Sequence, residues 1–321
     1  MKRRTFIRNT AGAAGMLSLF PAGLSGITRD YVPGKLEKRS LGRTGLKVSI
    51  IGFGGIVVRD ATPQQASDRV KEAIDYGVNL FDVAPTYGDA EEKLGPALRP
   101  YRNDVILACK TQRRDREGAR RELEESLEKL QTDHFDLYQF HAVSSVEDVE
   151  RIFASGGAIE TFLEAKKEGR IRHIGFSAHS VEAAMLLMDN YDFDTVMFPV
   201  SPSSWHAGNF GPQVLQRAHE EQKGILALKS MVRGPYPEGT TQEERVPKAW
   251  YQPMTEQEEA RTGLRFALSH PVTTAIPPGN ENLFRMALNI LPEFEPLGTD
   301  EVESLKRHAS QQTPLFRYQE G

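Results

Sequence analysis

Cysteine is almost absent from this sequence, since Cys109 is the only one among 321 residues. A single cysteine excludes an internal disulfide and any metal cluster built from several thiolates. Cys109 lies inside an apolar run next to Lys110, so we interpret it as a packed core residue rather than a nucleophile. No metal site is predicted.

The chain also lacks an excess of positive charge and a long apolar run. Its 40 Lys and Arg residues stand against 44 Asp and Glu residues, for a net charge of −4. An acidic balance disfavours nucleic acids and anionic membranes as partners. The uncharged stretch from Thr10 to Gly26 is shorter than the ~20 residues that a spanning helix needs, so no stable membrane span is expected.

Residues 1–26 have the pattern of a twin-arginine export signal. Arg3 and Arg4 precede Phe6 and Ile7, and a weakly apolar segment rich in Ala and Gly follows. The pattern predicts recognition by the twin-arginine machinery and a periplasmic or exported protein. Anchoring through an uncleaved signal and an ordinary disordered basic tail remain the alternatives. Loss of the signal would leave 36 basic against 44 acidic residues, a net charge of −8. Residues 27–321 are expected to form one domain.

Two chemically versatile side chains stand at the end of a predicted strand. The run 78–83 reads as a buried strand that delivers Asp82, and Tyr87 follows in a turn that contains Pro85 and Gly88. Ligands bind at the carboxyl ends of strands in parallel α/β folds, so an acid and a phenol at one such end are candidates for catalysis. The alternative is an Asp that caps the next helix and a Tyr that packs in its loop.

The next two predicted strands also end on ionisable residues. The run 103–110 finishes on Lys110, and the run 135–141 finishes on His141. Either residue alone is more often a surface or hydrogen-bonded group. Three successive strands that end on Asp, Lys and His, with a Tyr just beyond the first, instead indicate a common site.

Helical and strand patterns alternate along most of the chain, which indicates a parallel sheet. Eight predicted strands imply closure into a (β/α)8 barrel. A short hairpin over residues 35–48 precedes the first strand, and an extra helix over residues 300–308 follows the last.

Over residues 41–291 the sequence resembles the aldo-keto reductases, whose catalytic Asp, Tyr, Lys and His fall on Asp82, Tyr87, Lys110 and His141. The resemblance implies that Tyr87 donates the proton when a carbonyl is reduced by hydride. The reference pKa of a tyrosine phenol lies near 10. Lys110, held charged by Asp82, would stabilise the phenolate of Tyr87. His141 would orient and polarise the carbonyl, and the N-terminal hairpin would close the barrel floor.

The same resemblance implies an NADP cofactor, with NAD as the alternative. Ser177 matches a contact to the nicotinamide carboxamide, whereas Ala178 and Met197 replace the usual Asn and Gln, and Leu228 followed by Lys229 replaces the usual stacking aromatic. Arg285 is the candidate partner of a 2′-phosphate, although it could equally be a solvated surface residue. The full set of candidate cofactor residues is Gly54, Ser177, Met197, Leu228, Lys229, Ser230, Gly279, Asn280, Arg285 and Asn289.

Two long segments, residues 201–211 and 231–254, follow strand ends and are expected to be loops on the catalytic face. We expect Trp205 and Trp250 to be aromatic walls of the substrate pocket, with Tyr236 as a further candidate. The alternative is that either tryptophan staples its loop to the barrel.

The sequence therefore predicts an oxidoreductase that moves a hydride between a nicotinamide cofactor and an aldehyde, ketone or sugar. Two alternatives stay open. One is a redox-neutral epimerase or sugar–sugar oxidoreductase with a tightly held cofactor, because nothing obvious recycles a free nicotinamide outside the cytoplasm. The other is a catalytically silent barrel that serves as a binding or sensor subunit.

Overall fold

The computed structural model of the chain describes residues 35–319. The predicted export signal, residues 1–26, lies outside this part of the chain. Within it, one sheet of eight parallel strands forms a nearly closed barrel, as the alternating pattern predicts.

The barrel strands follow one another in chain order around the sheet. They are β3 (Phe53–Gly54), β4 (Leu80–Asp82), β5 (Ile106–Thr111), β6 (Phe135–Val143), β7 (Ile171–Ala178), β8 (Thr195–Pro199), β9 (Gly224–Leu228) and β12 (Thr274–Ile276). A parallel bridge between Ile51 and Ala275 joins the two ends. There the amide of Gly52 donates to the Ala275 carbonyl at 3.0 Å, and the amide of Ala275 donates to the Ile50 carbonyl at 2.8 Å.

Helices cover the outside of the barrel. The start of α1 carries a full capping box: the side chains of Thr62 and Gln65 each accept from the other's backbone amide, and Pro63 stands at the first helical position. The helices are α1 (Pro63–Asp75), α2 (Ala90–Leu98), α3 (Arg116–Lys129), α4 (Val146–Phe153), α5 (Ala158–Lys167), α6 (Val181–Asn190), α7 (Pro202–His206), α8 (Pro212–Glu220), α9 (Gln257–Ser269), α10 (Glu281–Ile290) and α11 (Thr299–Ala309). Short 3-10 helices occupy Gly55–Val58, Arg99–Asp104 and Leu291–Glu293.

The predicted hairpin closes the amino-terminal end of the barrel. Its strands β1 (Lys38–Ser40) and β2 (Lys47–Ser49) are antiparallel. Leu41 and Val48 from the hairpin join the apolar cluster inside the barrel. Gly42 has φ of +52°, and a Cβ there would lie 2.3 Å from the amide nitrogen of Gly224, so this close approach requires glycine.

The two long segments contain more regular structure than the sequence predicts. Residues 201–211 include α7, because the Ser201 hydroxyl caps it and Pro202 starts it. Residues 231–254 include β10 (Val232–Gly234) and β11 (Gln252–Pro253), which pair with each other. Both segments are therefore held in place rather than open loops.

Candidate active site

Asp82 and Lys110 form a fully buried ion pair at the carboxyl ends of β4 and β5. The ammonium of Lys110 donates to Asp82 Oδ2 at 2.5 Å and to the carbonyl of Val83 at 3.3 Å. Gln139, from β6, donates to Asp82 Oδ1 at 3.1 Å, so both carboxylate oxygens are satisfied. Burial acts to lower the pKa of Lys110, but the charges of Asp82 and Tyr87 outweigh it and raise that pKa. Lys110 is thus held cationic in the barrel.

Tyr87 lies against this pair. Its amide donates to the Ala84 carbonyl at 3.0 Å in the turn after β4. The Lys110 ammonium lies 5.2 Å from the centre of the Tyr87 ring. Burial raises the pKa of the phenol, and the lowering effect of Lys110 only partly offsets it. The sequence leads us to expect that Lys110 lowers the pKa of Tyr87 overall, whereas in the structure this pKa is raised. The phenol is therefore protonated at neutral pH and able to act as an acid.

His141 completes the cluster from the end of β6. Its ring meets that of Tyr87 edge to face, with centroids 5.6 Å apart, and its Nδ1 lies 3.3 Å from the Thr86 hydroxyl. Burial, with the charge of Lys110 next in size, lowers the pKa of His141 to about 2. The imidazole is therefore neutral and can donate a hydrogen bond without carrying charge.

An irregularity in β6 sets the direction of His141. The pairing of β6 with β7 shifts between Phe140 and Val143, and Ala142 has φ of +53°. The Ala142 amide donates to Ser177 Oγ at 2.8 Å. Bulges of this kind re-aim side chains next to active sites. Ser177 thus supports the turn at His141, and its hydroxyl proton stays available for another acceptor.

The structure adds a residue that sequence reasoning missed. His179 follows β7 on the same end of the barrel and stacks on Phe316 with centroids 5.5 Å apart. Burial lowers its pKa to about 4, and its buried Nε2 has no hydrogen-bond partner in residues 35–319. A signal was present, because His179 directly follows the apolar run that forms β7.

The candidate cofactor residues divide by location. Gly54 and Gly279 are explained by packing, since a Cβ on them would lie 3.1 Å and 2.2 Å from Ile276 and Ile56 respectively. Met197 and Leu228 belong to the apolar cluster inside the barrel, so they offer apolar surface rather than polar contacts. Ser230 is buried, and its hydroxyl has no partner in the described part of the chain.

Three other candidates already have protein partners around α10. Asn280 caps that helix by accepting from the amides of residues 282 and 283. The guanidinium of Arg285 donates two hydrogen bonds to the carboxylate of Glu72 in α1, at 2.6 and 2.8 Å. Asn289 accepts from the Tyr76 hydroxyl at 2.5 Å. The side chains of Arg285 and Asn289 therefore bridge α10 and α1, which the sequence does not predict.

The three aromatic candidates lie in different environments. Trp205 stacks on His270 with centroids 4.2 Å apart. The Trp205 ring also meets Phe266 of α9 edge to face, with centroids 5.9 Å apart, and His270 directly follows that helix. The Trp205 ring thus packs between α7 and α9, which is the arrangement of the alternative in which it staples its segment to the barrel. The Tyr236 hydroxyl accepts from the amide of Val246, so this ring organises its own loop.

Trp250 is the aromatic candidate that the structure places beside the strand ends. Its side chain is 59% exposed, and its ring centre lies 5.1 Å from the ammonium of Lys229, the residue directly after β9. Phe316, the ring that stacks on His179, lies 6.3 Å from it. Lys229, His179, Phe316 and Trp250 thus lie together near His141.

The neutral histidines make stability depend on pH. Burial lowers the pKa of all four from 6.5, to about 2 or about 4; they are His141, His179, His206 and His270. Their contribution to the free energy of unfolding is complete above pH 6.5. It is lost as the pH falls toward the folded-state pKa values, by about 1 kcal/mol per histidine per pH unit. We expect a lower urea midpoint at pH 5.5 than at pH 7.5, with a smaller drop in His206→Gln. Equal midpoints at both pH values would contradict this prediction.

Comparisons with known proteins agree with the geometry. The Aldo/keto reductase family profile matches residues 50–261. L-galactose dehydrogenase of Arabidopsis thaliana is 33% identical over 177 residues, which cover 50% of this chain and 54% of that protein. Aldo-keto reductase YhdN of Bacillus subtilis is 31% identical over 219 residues, which cover 62% and 63%. The matches to these two curated relatives thus span between half and two thirds of their length.

Solved structures show the same fold. The holo form of aldo-keto reductase AKR11C1 from Bacillus halodurans has a TM-score of 0.68 at 23% identity, covering 89% of this chain and 99% of that one. An aldo-keto reductase from Klebsiella pneumoniae in complex with NADPH has a TM-score of 0.68 at 22% identity, covering 90% and 100%.

Proposed function

The chain belongs to the aldo/keto reductase family, and from this premise we propose that it is an NADP(H)-dependent oxidoreductase acting on a small carbonyl or alcohol substrate. The observation that carries the proposal is the cluster of Tyr87, Lys110, Asp82 and His141 at one end of the barrel. A protonated phenol, a buried cation and a neutral imidazole meet there. These are the groups that reduction of a carbonyl requires.

Each residue has a distinct part in the reaction. A nicotinamide cofactor, when bound, would supply the hydride that the carbonyl carbon accepts. Tyr87 gives its proton to the carbonyl oxygen as charge develops there, and the resulting phenolate is stabilised by the adjacent Lys110 ammonium. Asp82 keeps Lys110 charged and fixed. His141, which is neutral, donates a hydrogen bond that orients the carbonyl. In alcohol oxidation the same groups act in reverse.

The chain offers polar groups that fit a dinucleotide. The free hydroxyl of Ser230 and the hydroxyl proton of Ser177 suit the carboxamide end. Near the start of α10, Arg69 and Lys248 share the single carboxylate of Glu281, at 3.3 and 3.6 Å. The excess positive charge next to a helix N-terminus suits the diphosphate. We propose that these residues hold the cofactor.

Arg285 provides a test of the preference for NADP(H). If its guanidinium binds the 2′-phosphate, Arg285→Ala should weaken NADPH binding by about tenfold, the value of one charged contact. NADH lacks that phosphate, so its affinity should change much less. Titration of nicotinamide fluorescence measures both. Glu72→Gln is the matched control, because it frees Arg285 from its present partner and should not weaken NADPH binding. Equal losses for NADPH and NADH would count against the assignment.

We also propose export through the twin-arginine route, supported by the pattern in residues 1–26. No helix within residues 35–319 is long and apolar enough to cross a membrane. Replacement of Arg3 and Arg4 by Lys should retain the protein in the cytoplasmic fraction, whereas the unaltered chain should appear in the periplasmic fraction. Equal distribution of both would contradict this proposal.

The activity itself is tested with purified protein, NADPH and an activated aldehyde such as 4-nitrobenzaldehyde. Repeated turnover supports the proposed reductase. If the protein purifies with a bound nucleotide and reduces only one equivalent of aldehyde per protein molecule, the result points to the redox-neutral cycle. Failure to bind either nucleotide would overturn the proposal in favour of a silent barrel.

A further inference from the structure

Within residues 35–319, Lys229 is a cation without an acidic partner, and it lies beside the candidate active site. It directly follows β9, and its ammonium lies over the rings of Trp250 and Tyr251, at 5.1 and 4.5 Å from their centres. Its charge acts on both His141 and His179, which places it on the same face as the catalytic cluster. Nothing in the proposed reaction uses it.

Three other lysines with little exposure have a carboxylate close by. Lys110 lies 2.5 Å from Asp82. Lys223 lies 2.9 and 3.0 Å from two carboxylates. Lys248 lies 3.6 Å from Glu281. For Lys229, by contrast, burial alone shifts the pKa, downward to about 8, and no carboxylate of residues 35–319 offsets it. The side chain is still mostly protonated at neutral pH, and its charge is uncompensated.

The backbone at Lys229 also argues for a role of the side chain. Its φ is +64°, in the left-handed region that favours glycine. Non-glycine residues in such conformations cluster at functional sites. A glycine would adopt this backbone conformation without strain. The chain instead has a lysine there, and its ammonium lies over the rings of Trp250 and Tyr251.

The sequence assigns Lys229 to the cofactor, but charge argues against a position of its ammonium beside the nicotinamide ring. The nicotinamide ring becomes positive when it is oxidised, and an adjacent unpaired ammonium would repel that state. A negatively charged group on the substrate would instead neutralise Lys229 in a partly dehydrated site, where charge-assisted hydrogen bonds are strong. The aromatic surfaces of Trp250 and Phe316 would cover the apolar part of such a molecule.

We propose that Lys229 binds an anionic group of the substrate, so that the enzyme acts on carbonyl compounds that carry a carboxylate or a phosphate. The inference rests on the proposed reductase function and names its substrate class. Lys229 is then a specificity-determining residue, since it selects the substrate and takes no part in hydride or proton transfer.

A matched pair of aldehydes tests the proposal, namely 4-formylbenzoate and the neutral 4-formylbenzamide of nearly equal shape. We expect kcat/KM to favour the carboxylate by about 10- to 100-fold, the range of one charged hydrogen bond. In Lys229→Met the ratio should fall to near one, mainly through a higher KM for the carboxylate. Lys229→Arg should keep most of the preference. Lys167→Met removes the same charge from the exposed end of α5 and should leave the ratio unchanged.

A wild-type ratio near one, or a ratio that survives in Lys229→Met, would overturn the inference while leaving the reductase function intact. If neither aldehyde turns over, the proposed function fails, and binding still tests Lys229. Trp250 reports occupancy by its fluorescence, with Trp205 as a constant background in the helical layer. The wild type should then bind 4-formylbenzoate more tightly than the amide, and Lys229→Met should not. Equal affinities in the wild type would overturn the inference in this case too.

Discussion

Replacement of Tyr87 by Phe is expected to lower kcat for carbonyl reduction on the order of a thousandfold, the typical contribution of a positioned general acid. The phenol is the protonated group next to both Lys110 and His141, which is why we assign it the proton transfer. NADPH affinity should be largely kept, because the ring and its packing remain. Single-turnover oxidation of bound NADPH measures the chemical step apart from binding.

Tyr138→Phe is the matched control for this experiment. Tyr138 is buried between the rings of Phe135 and Phe162, at 5.5 and 4.9 Å, so loss of its hydroxyl should leave the rate nearly unchanged. A Tyr87→Phe variant that reduces aldehydes at close to the original rate would contradict the role of Tyr87 as proton donor.

Lys110→Met is expected to damage both activity and folding. It would leave Asp82 buried with only the Gln139 amide as partner. Removal of one member of a buried ion pair typically costs about 3–5 kcal/mol of unfolding free energy. The rate should fall at the same time, because the phenolate of Tyr87 would lose its stabilising charge. Urea unfolding measures the loss of stability, provided that the dependence of the unfolding free energy on urea concentration is the same in the variant and the wild type.

A double variant separates the two effects of Lys110. Asp82→Asn combined with Lys110→Met removes both charges, so most of the lost stability should return while the rate stays low. Recovery of the rate in the double variant would show that the ion pair serves only the fold. Unchanged stability in Lys110→Met would contradict the buried pair itself.

The grouping of Asp82, Tyr87, Lys110 and His141 could be predicted because a local sequence pattern fixes the position of each member. Asp82, Lys110 and His141 each end an apolar run, and parallel strands bring their carboxyl ends together. Tyr87 follows Asp82 within one turn, so little chain separates them. The hairpin was predictable for the same reason, because its two strands and the turn between them are adjacent in sequence.

Contacts between distant segments could not be predicted in this way. Arg285 meets Glu72 across 213 positions of sequence, and no local pattern indicates that pairing. Trp205 follows a strand end on the catalytic face, yet the short helix α7 directs it toward His270. Whether Lys229 has an acidic partner likewise depends on side chains contributed by several elements. Strand ends identify where chemistry can occur, whereas specificity depends on how later segments fold over them.

The most direct test of the central claim is a single turnover with NADPH deuterated at the transferred position of the nicotinamide, followed by mass analysis of the alcohol formed from 4-formylbenzoate. The account predicts that the deuterium appears on the new carbinol carbon and that Tyr87→Phe, with NADPH still bound, forms almost none of this product. Alcohol formed without deuterium, or bound NADPH that is never oxidised by any aldehyde, would contradict it.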